Sequence, residues 1–386
     1  MNIAIFTDTY HPQINGVVTS VDTFTHEFEK NGHSVLIAGP KMPGGKRSTA
    51  KIWRFNSMVF PFQREHRVIW PYSRKLCKFK DLKIDVIHAQ TPFSMGYLAL
   101  HLGAKYNIPV VHTYHTFFAE YLHYLPLPNV LTKAYAVMQS RRFCNRCDQV
   151  VVPSQAMKNT LNSYGITTPI DVIPTGVEID TIPYSSQASA FREAHQIPAD
   201  RPLCIFVGRL GKEKNVYFLL DAFRQVLKTV PNALLLVVGD GPELKGMRLW
   251  AHELKLDQSV RFVGYLPRNE VFTAYAASDL ILFPSKTETQ GLSLLEGLAM
   301  GKPAVCLNAM GVKDILEGNV GGFLTEDHLP EFVEKASALL TDSALYTQKS
   351  QEARTRAAQF SAASMAEKMI GVYESAIAAH KKGEKR

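Results

Sequence analysis

The sequence predicts an α/β protein with two doubly wound domains. Two runs of the chain each alternate short apolar segments with stretches of helical periodicity, the first from the N-terminus and the second from Leu203. The length of 386 residues also fits two domains better than one. We therefore expect two parallel sheets, each covered by helices.

Composition and charge limit the class of protein without choosing a partner. An apolar fraction of 46% and a charged fraction of 20% are typical of a globular chain with real cores. No apolar segment approaches the roughly 20 residues of a membrane span, and residues 1–6 resemble a first strand more than a signal peptide. Five cysteines, an odd number, indicate a reducing cytoplasm. A net charge of +8 permits nucleic acid, an anionic membrane or an acidic substrate.

The first apolar strand is followed by a loop at a position where ligands bind. Residues 2–6 form this strand, Val17–Lys30 is helical and Val35–Ala38 is the next strand, which together make a βαβ unit. Ligands of such sheets lie at the carboxyl ends of the strands. Gly16 lies there, and it either lets a ligand approach the backbone or simply makes a tight turn. The Gly-x-Gly-x-x-Gly fingerprint of nicotinamide cofactors is missing.

A histidine and an aromatic segment follow a later strand of the first run. The histidine, His115, comes just after an apolar strand, where it can hydrogen-bond a sugar hydroxyl or serve a structural role. His112 lies within that strand, and we expect it to pack in the core. The segment 114–126 is rich in aromatic residues and leucine, which suits an apolar groove for an acceptor. Two of its rings are those of Phe117 and Tyr121.

The stretch 51–80 interleaves aromatic and basic residues. Cations beside interfacial rings suit a membrane surface, because the cations meet anionic headgroups while the rings lie at the acyl boundary. Stacking on nucleic-acid bases is a second interpretation, and an ordinary solvated helix with core-facing rings is a third. The residues assigned to a membrane or acceptor contact here are Arg64, Arg67, Trp70, Lys75 and Lys78.

The second run begins with a strand, a basic loop and a helix. Leu203–Val207 is the strand, and Arg209 and Lys214 flank a turn before the helix that starts at Val216. Two cations at this position can hold the oxygens of a diphosphate, arginine bidentately and lysine as a point charge. A solvated loop is the alternative. Farther along, a loop at Gly239 follows the next strand. A turn that contains Leu266 follows the strand after that, where it can form one edge of a pocket for a nucleotide base.

A third strand, loop and helix carries two glutamates. An apolar strand at 280–284 precedes a polar loop, and a helix begins near Leu292. The start of a helix offers unpaired N–H groups and a positive dipole end to a phosphate. A diphosphate bound there leaves Glu296 near its ribose and Glu288 near the group beyond the far phosphate. Two solvated glutamates on a surface helix are the alternative.

Four motifs together resemble the retaining glycosyltransferases of family 4, which have the GT-B fold. In order they are Asn-Gly-Val-Val from Asn15, Gly-Arg-Leu-Gly-Lys-Glu-Lys-Asn from Gly208, Val-Gly-Asp-Gly-Pro from Val238, and the stretch with both glutamates. The resemblance covers nearly the whole chain. It implies two Rossmann-like domains, 1–178 for the acceptor and 179–364 for the nucleotide sugar, facing a central cleft. A C-terminal helix at about 365–386 is expected to pack back on the first domain.

The resemblance also implies roles for single residues. Arg209 and Lys214 bind the donor diphosphate, Glu296 holds the ribose, and the Gly16 loop closes over the phosphates. Glu288 and the backbone around Gly291 hold the sugar, while His115 contacts it near the reaction centre. The catalytic residues expected on this basis are His115, Arg209, Lys214 and Glu288. The donor-binding residues expected are Gly16, Arg209, Lys214, Gly239, Leu266, Glu288, Gln290, Gly291, Leu292 and Glu296.

No cofactor and no essential metal are predicted. The chain has no Asp-x-Asp pair, and Cys144 and Cys147 lack a second ligand pair at the spacing of a zinc site. Glu288 invites comparison with the nucleophile of retaining glycosidases. The resemblance instead favours front-face attack by an acceptor hydroxyl that gives its proton to the departing phosphate. The residues leave both mechanisms open.

The first half of the chain looks like the bacterial diacylglycerol glucosyltransferases of this family. The segments from His112 to Tyr124 and from Ser140 to Asp148 carry this likeness. It implies UDP-glucose as donor, diacylglycerol as acceptor, and a peripheral position on the inner face of the cell membrane with no nucleic-acid partner. The alternatives are another acceptor (phosphatidylinositol, a soluble molecule or a polysaccharide), a nucleotide-sugar epimerase of similar fold, and a non-catalytic nucleic-acid-binding module.

Overall fold

The computed structural model describes residues 1–44, 49, 51–60, 63–116, 129–178, 184 and 186–383. The side chains of 60, 63–66 and 129–131 lie outside this description. The chain divides into two compact units, each with its own core. The first unit is Met1–Gly176 with Ala362–Arg386, and the second is Val177–Ser361.

The first unit is built on a parallel sheet of seven described strands in the order β3-β2-β1-β6-β7-β8-β9. The order reverses between β1 and β6, which is the point where ligands of such sheets bind. The strands of this unit, including the hairpin pair β4 and β5, are β1 Asn2–Phe6, β2 Ser34–Pro40, β3 Ile52–Phe55, β4 Ser57–Phe60, β5 Gln63–Ile69, β6 Val86–Ala89, β7 Val110–Thr113, β8 Gln149–Val152 and β9 Ile170–Val172.

Four described helices precede the second unit and cover this sheet. Asn15 caps the first, because its side chain accepts a hydrogen bond from the backbone N–H of Val18. Ser154 caps the fourth in the same way through the N–H of Met157, as the sequence predicts. The helices are α1 Gly16–Lys30, α2 Ser94–Tyr106, α3 Asn129–Cys144 and α4 Gln155–Ser163.

The second unit has a parallel sheet of six described strands in the order β12-β11-β10-β13-β14-β15. Apolar clusters lie on both faces of it. Its strands are β10 Leu203–Val207, β11 Leu234–Val238, β12 Val260–Gly264, β13 Leu280–Phe283, β14 Ala304–Leu307 and β15 Gly322–Thr325. Its helices are α5 Ala188–Ala194, α6 Val216–Val226, α7 Leu244–Glu253, α8 Arg268–Ala277, α9 Leu292–Ala299, α10 Val312–Ile315, α11 Leu329–Thr341 and α12 Ser343–Ala358.

The last helix, α13 Ala362–Lys381, belongs to the first unit. Its apolar face packs into the cluster formed by β1, α1 and β2. Tyr373 is fully buried, and its hydroxyl lies 2.6 Å from Nδ1 of His88 on β6. The ring of Tyr373 also lies 5.6 Å from that of Phe28. A helix remote in sequence therefore completes the core of the first unit.

The stretch 51–80 is not the single solvated helix that was one of its interpretations. It forms β3, the antiparallel hairpin of β4 and β5, and two 3₁₀ turns, Arg74–Lys78 and Lys80–Leu82. Trp53, Phe55 and Phe79 are buried. Trp70 and Tyr72 are 66% and 72% exposed. The buried rings of Trp53 and Phe55 lie on β3, which joins the sheet, and Phe79 packs against Trp53. The exposed rings of Trp70 and Tyr72 follow the hairpin, which lies outside that sheet.

No helix in the part of the chain that the structure describes is both long enough and apolar enough to cross a bilayer.

Candidate active site

The second unit gathers the predicted phosphate-binding residues at its topological switch point. The strand order reverses between β10 and β13, so the loops after these strands meet at one edge of the sheet. The loop after β10 carries Arg209 and Lys214, and the loop after β13 carries Glu288. The N–H of Lys286 also reaches the carbonyl of Glu213, 3.4 Å away, which ties the two loops together. The two loops that carry the predicted residues are thus neighbours in space.

Lys214 and Glu288 form an ion pair. The Nζ of Lys214 donates to Oε1 of Glu288 at 2.5 Å, and the two side chains are 18% and 12% exposed. Partial burial strengthens such a contact because water screens it less. Glu288, which we expect to hold the sugar, and Lys214, which we expect to bind the diphosphate, therefore contact each other in the structure.

Gly239 is required by the packing of these loops. Its φ is +137°, and a Cβ there would lie 1.9 Å from the carbonyl oxygen of Gly208. Gly208 in turn donates its N–H to Val238, and Leu210 donates to Asp240. The glycine therefore lets the loop after β11 pack against the segment that carries Arg209. Direct contact of Gly239 with a donor stays a prediction.

The start of α9 is a candidate position for binding an anion. Gly291 precedes it with φ +93°, a value that favours glycine, and no side chain caps the helix. On either side of Gly291, Gln290 is buried and Leu292 is half-buried. The N–H of Gly311 donates to the carbonyl of Glu288, which fixes the loop that leads into the helix. The first turn of α9, with its N–H groups and positive helix end, thus begins within four residues of Glu288 along the chain.

Glu296 lies inside α9 and is buried. Burial raises the pKa of this carboxyl to about 7, the positive charge of Arg268 opposes that rise, and the negative charge of Glu178 adds to it. The Nη2 of Arg268 lies 3.6 Å from Oε1 of Glu296. Because a carboxylate accepts hydrogen bonds from two hydroxyls, the ionised form is the one suited to a ribose.

This titration predicts a stability change that depends on pH. The folded-state pKa of about 7 lies above the ordinary 4.5, so the folded chain is destabilised as pH rises through that window, by up to about 3 kcal/mol. Glu296→Gln should therefore raise the thermal midpoint at pH 8, and the gain should shrink toward pH 5. Differential scanning fluorimetry across this range measures both. An equal gain at pH 5 and pH 8 would contradict the assignment.

Leu266 is buried in the turn that joins β12 to α8. The turn begins at Gly264, whose φ is +73°, and Arg268 starts the helix directly after it. Tyr275 on the same helix donates its hydroxyl to the carbonyl of Ser293 at 2.5 Å. This contact joins α8 to α9, so the turn with Leu266 is fixed relative to the helix that carries Glu296. A base pocket edged by Leu266 stays a prediction.

In the first unit, Gly16 opens α1 beside the loop that follows β1. A Cβ there would meet no heavy atom within 4 Å, and the residue is exposed. Asn15 before it donates to the hydroxyl of Thr9 while it caps the helix. The described packing of its own unit therefore does not require glycine at this position, and the expected approach of a ligand remains a prediction.

His115 lies just past β7, where the sequence places it. Its Nε2 is 2.7 Å from Oε1 of Gln90, and its side chain is half-buried. Burial, followed by the proximity of His112, lowers the pKa of His115 to about 3, so the ring is neutral at pH 7. His112 is fully buried and its Nδ1 lies 2.8 Å from the carbonyl of Ala89. It packs in the core, as expected.

The predicted membrane or acceptor residues divide between described and undescribed parts. Phe117 and Tyr121 lie outside the described residues, as does the side chain of Arg64. Arg67 donates from Nε and Nη2 to the hydroxyl and carbonyl oxygens of Ser57, so it braces the β4–β5 hairpin. The remaining three lie near one another in sequence, with Trp70 and Lys78 exposed and Lys75 half-exposed.

Sequence reasoning missed two residues that the structure brings to these sites. Gln90 orients His115, and Arg268 lies beside Glu296. The position of each residue in the sequence could have indicated it. Gln90 directly follows β6 at the ligand-binding edge, and Arg268 comes two residues after the turn residue Leu266. The pairing itself is a tertiary contact that no local pattern shows.

Comparison with known proteins matches both halves of the chain. Residues 14–181 match the family model of glycosyltransferase family 4, and residues 187–357 match that of the glycosyl transferases group 1. The alpha-monoglucosyldiacylglycerol synthase of Streptococcus pneumoniae is 33% identical over 330 residues, which cover 84% of this chain and 75% of that protein. The alpha-monoglucosyldiacylglycerol synthase of Acholeplasma laidlawii is 30% identical over 318 residues, which cover 79% and 80%.

A solved structure confirms the predicted fold class. HepE from Anabaena, solved in complex with UDP-glucose, matches with a TM-score of 0.77 at 19% identity, over 97% of this chain and 100% of that one. At this identity the likeness concerns the fold alone, and the fold is GT-B. The two family models, and relatives that are 30% and 33% identical over most of the chain, show the family. The protein is a glycosyltransferase that belongs to family 4.

Proposed function

We propose that this glycosyltransferase moves glucose from UDP-glucose to diacylglycerol with retention at the anomeric carbon. The observation that carries the proposal is the joint placement of Lys214, Glu288 and the start of α9 at one switch point. Two relatives named alpha-monoglucosyldiacylglycerol synthases support the hexose and the acceptor. The donor binds in the second unit, with its diphosphate at Arg209 and Lys214 and its ribose at Glu296.

Transfer of the glucose requires that the nucleoside diphosphate be stabilised as it leaves. Negative charge grows on the phosphate oxygens as the bond to the anomeric carbon breaks. Arg209, Lys214 and the N–H groups of α9 supply positive charge for this. We propose that these groups suffice without a resident metal or cofactor. Lys214 then exchanges its contact with Glu288 for one that includes the phosphate.

The acceptor attacks from the same face that the diphosphate leaves. The acceptor oxygen bonds to the anomeric carbon as the bond to phosphate breaks, and the phosphate takes the hydroxyl proton. Glu288 contacts a cation in the structure, which suits a role in holding the sugar. His115 is neutral and can accept or donate a hydrogen bond to a sugar hydroxyl. Mass spectrometry of a trapped glycosylated Glu288 would refute this front-face version.

We propose that the β4–β5 hairpin and the turn after it bind an anionic membrane. Five apolar or aromatic side chains are exposed here with basic residues beside them, which is the composition of an interfacial contact. The surface is formed by Met58, Val59, Val68, Trp70 and Tyr72, all at least 39% exposed, with Arg74, Lys75 and Lys78 following.

Charge reversal tests this surface. Lys75→Glu with Lys78→Glu should weaken binding to vesicles that contain phosphatidylglycerol by at least about thirtyfold, because each basic residue near such a surface adds about 1 kcal/mol. Vesicle co-sedimentation measures the change. Lys228→Glu with Lys368→Glu, an equal change of charge at exposed positions elsewhere, is the control. Equal loss in both variants would show a net-charge effect and reject the assigned surface.

A product assay tests the reaction as a whole. The purified chain is given UDP-glucose and diacylglycerol in micelles, with and without an anionic lipid, and products are read by mass spectrometry. A glucosyl diacylglycerol supports donor and acceptor together. UDP-glucose that raises the thermal midpoint but gives no glycolipid rejects the lipid acceptor and keeps the donor. An epimer of UDP-glucose formed without any acceptor, and separated by chromatography because it has the same mass, would indicate the epimerase.

A further inference from the structure

The side chain of Arg268 has an unusual position beside the proposed ribose site. Its Nη2 is shielded from solvent and has no hydrogen-bond acceptor within the described ranges of the chain. A buried N–H group without an acceptor costs roughly 1–3 kcal/mol, so such groups are uncommon without a reason. The charged group found near this nitrogen is Glu296, at 3.6 Å from Oε1. The contact is too long for a hydrogen bond but short for two opposite charges.

The backbone holds the two groups in a fixed relation. Arg268 is the first residue of α8 and directly follows Pro267, which has a fixed φ. The guanidinium lies over the ring of Phe272 one turn along, 5.7 Å from its centroid. The hydrogen bond from Tyr275 to Ser293 ties this helix to α9, which carries Glu296. Arg268 and Glu296 thus lie on two helices that are joined to each other within the second unit.

We propose that Arg268 is a positioning residue that keeps Glu296 ionised and oriented to accept the ribose hydroxyls of the donor. This inference rests on the proposed nucleotide-sugar site. Within the described part of the chain, the titratable groups that interact electrostatically with Glu296 include Arg268, Glu178 and Tyr275. Burial and Glu178 both favour the protonated carboxyl, which can accept fewer hydrogen bonds. Arg268 is the cation that opposes them, and its buried nitrogen interacts with the carboxylate without competition from water.

The test measures UDP binding by calorimetry between pH 5.5 and 8.5. Wild type should bind more tightly as pH rises and Glu296 loses its proton. Arg268→Ala should weaken binding at pH 7 by about 10- to 100-fold and move the midpoint of the pH dependence upward. Arg268→Lys should restore much of that midpoint, since it keeps the charge. Arg248→Ala is the matched control, because Arg248 also lies over a ring, that of Phe262 at 5.0 Å, but its Nη2 donates to the carbonyl of Phe262 rather than approaching Glu296.

A second nucleotide separates action through Glu296 from direct contact. With 2′,3′-dideoxy-UDP, which has no ribose hydroxyls, Arg268→Ala should bind within about twofold of wild type. An undiminished loss with this analogue, or an unchanged pH midpoint with UDP, would overturn the proposal. Thermal midpoints of all variants show whether they are folded, and Arg268→Gln replaces the alanine variant if that one is not. Absence of UDP and GDP binding by wild type would refute the donor site itself.

Discussion

Lys214→Ala should lower turnover by at least about a hundredfold. The lysine is proposed to meet the charge that grows on the leaving diphosphate, and loss of one such group costs about 10²–10³ in rate. It should also destabilise the second unit by about 1–3 kcal/mol, because Glu288 keeps only 12% of its side chain exposed and loses its cation. Steady-state kinetics with UDP-glucose and a thermal melt read the two effects separately.

Two further variants make this result interpretable. Lys214→Ala combined with Glu288→Gln removes the unpaired charge and should recover stability without recovering turnover. Lys286→Ala is the control from the same loop, because its pair with Asp327 is also short at 2.6 Å but about half exposed. Such an exposed pair contributes little, so both turnover and thermal midpoint should stay near wild type. Near-normal turnover of Lys214→Ala would reject the diphosphate contact.

Gly239→Ala should be among the most damaging single changes in the second unit. The added Cβ would lie 1.9 Å from the carbonyl oxygen of Gly208, at a φ of +137° that other residues rarely adopt. Backbone must move to relieve this contact, at a cost of about 3 kcal/mol or more. The expected fall in thermal midpoint is about 6–12 °C. Because Gly208 precedes Arg209, UDP affinity should fall with it.

Gly318→Ala is the matched control for this change. Gly318 also lies in the second unit and has a φ of +69°, yet the nearest heavy atom to an added Cβ there is Cγ2 of Val320, 3.9 Å away. It therefore carries the conformational cost alone, about 1–2 kcal/mol, and should lower the thermal midpoint by only a few degrees. A fall as large as that of Gly239→Ala would show that backbone conformation rather than the close approach of two loops requires glycine at 239.

Strands and helices of this chain follow from local pattern where one face is apolar. The helix expected at Val17–Lys30 runs from Gly16 to Lys30, and Ser154 caps its helix as expected, because both depend on periodicity and on a single side chain near its own backbone. The structure of the stretch 51–80 could not be predicted from local pattern in the same way. Its described aromatic residues divide between the core and the surface, and that division depends on which segments pack on the sheet.

The positions of the candidate residues at the ends of strands were predictable, but their contacts were not. Glycines, cations and carboxylates at the ends of strands indicated Arg209, Lys214, Glu288 and Glu296. That Lys214 meets Glu288, 74 positions away, and that Arg268 approaches Glu296 are facts of packing. Neither follows from spacing, since each depends on the order of strands in the sheet and on how two helices are joined.

The return of α13 to the first unit orders the events of synthesis. The second unit is continuous from Val177 to Ser361, so its whole sheet can assemble once that length has left the ribosome. The first unit is made earlier but keeps an open apolar face until residues 362–381 are made, because Tyr373 and its neighbours fill that face. The half that is translated first is therefore finished last, and a chaperone that protects nascent chains would find its binding surface there.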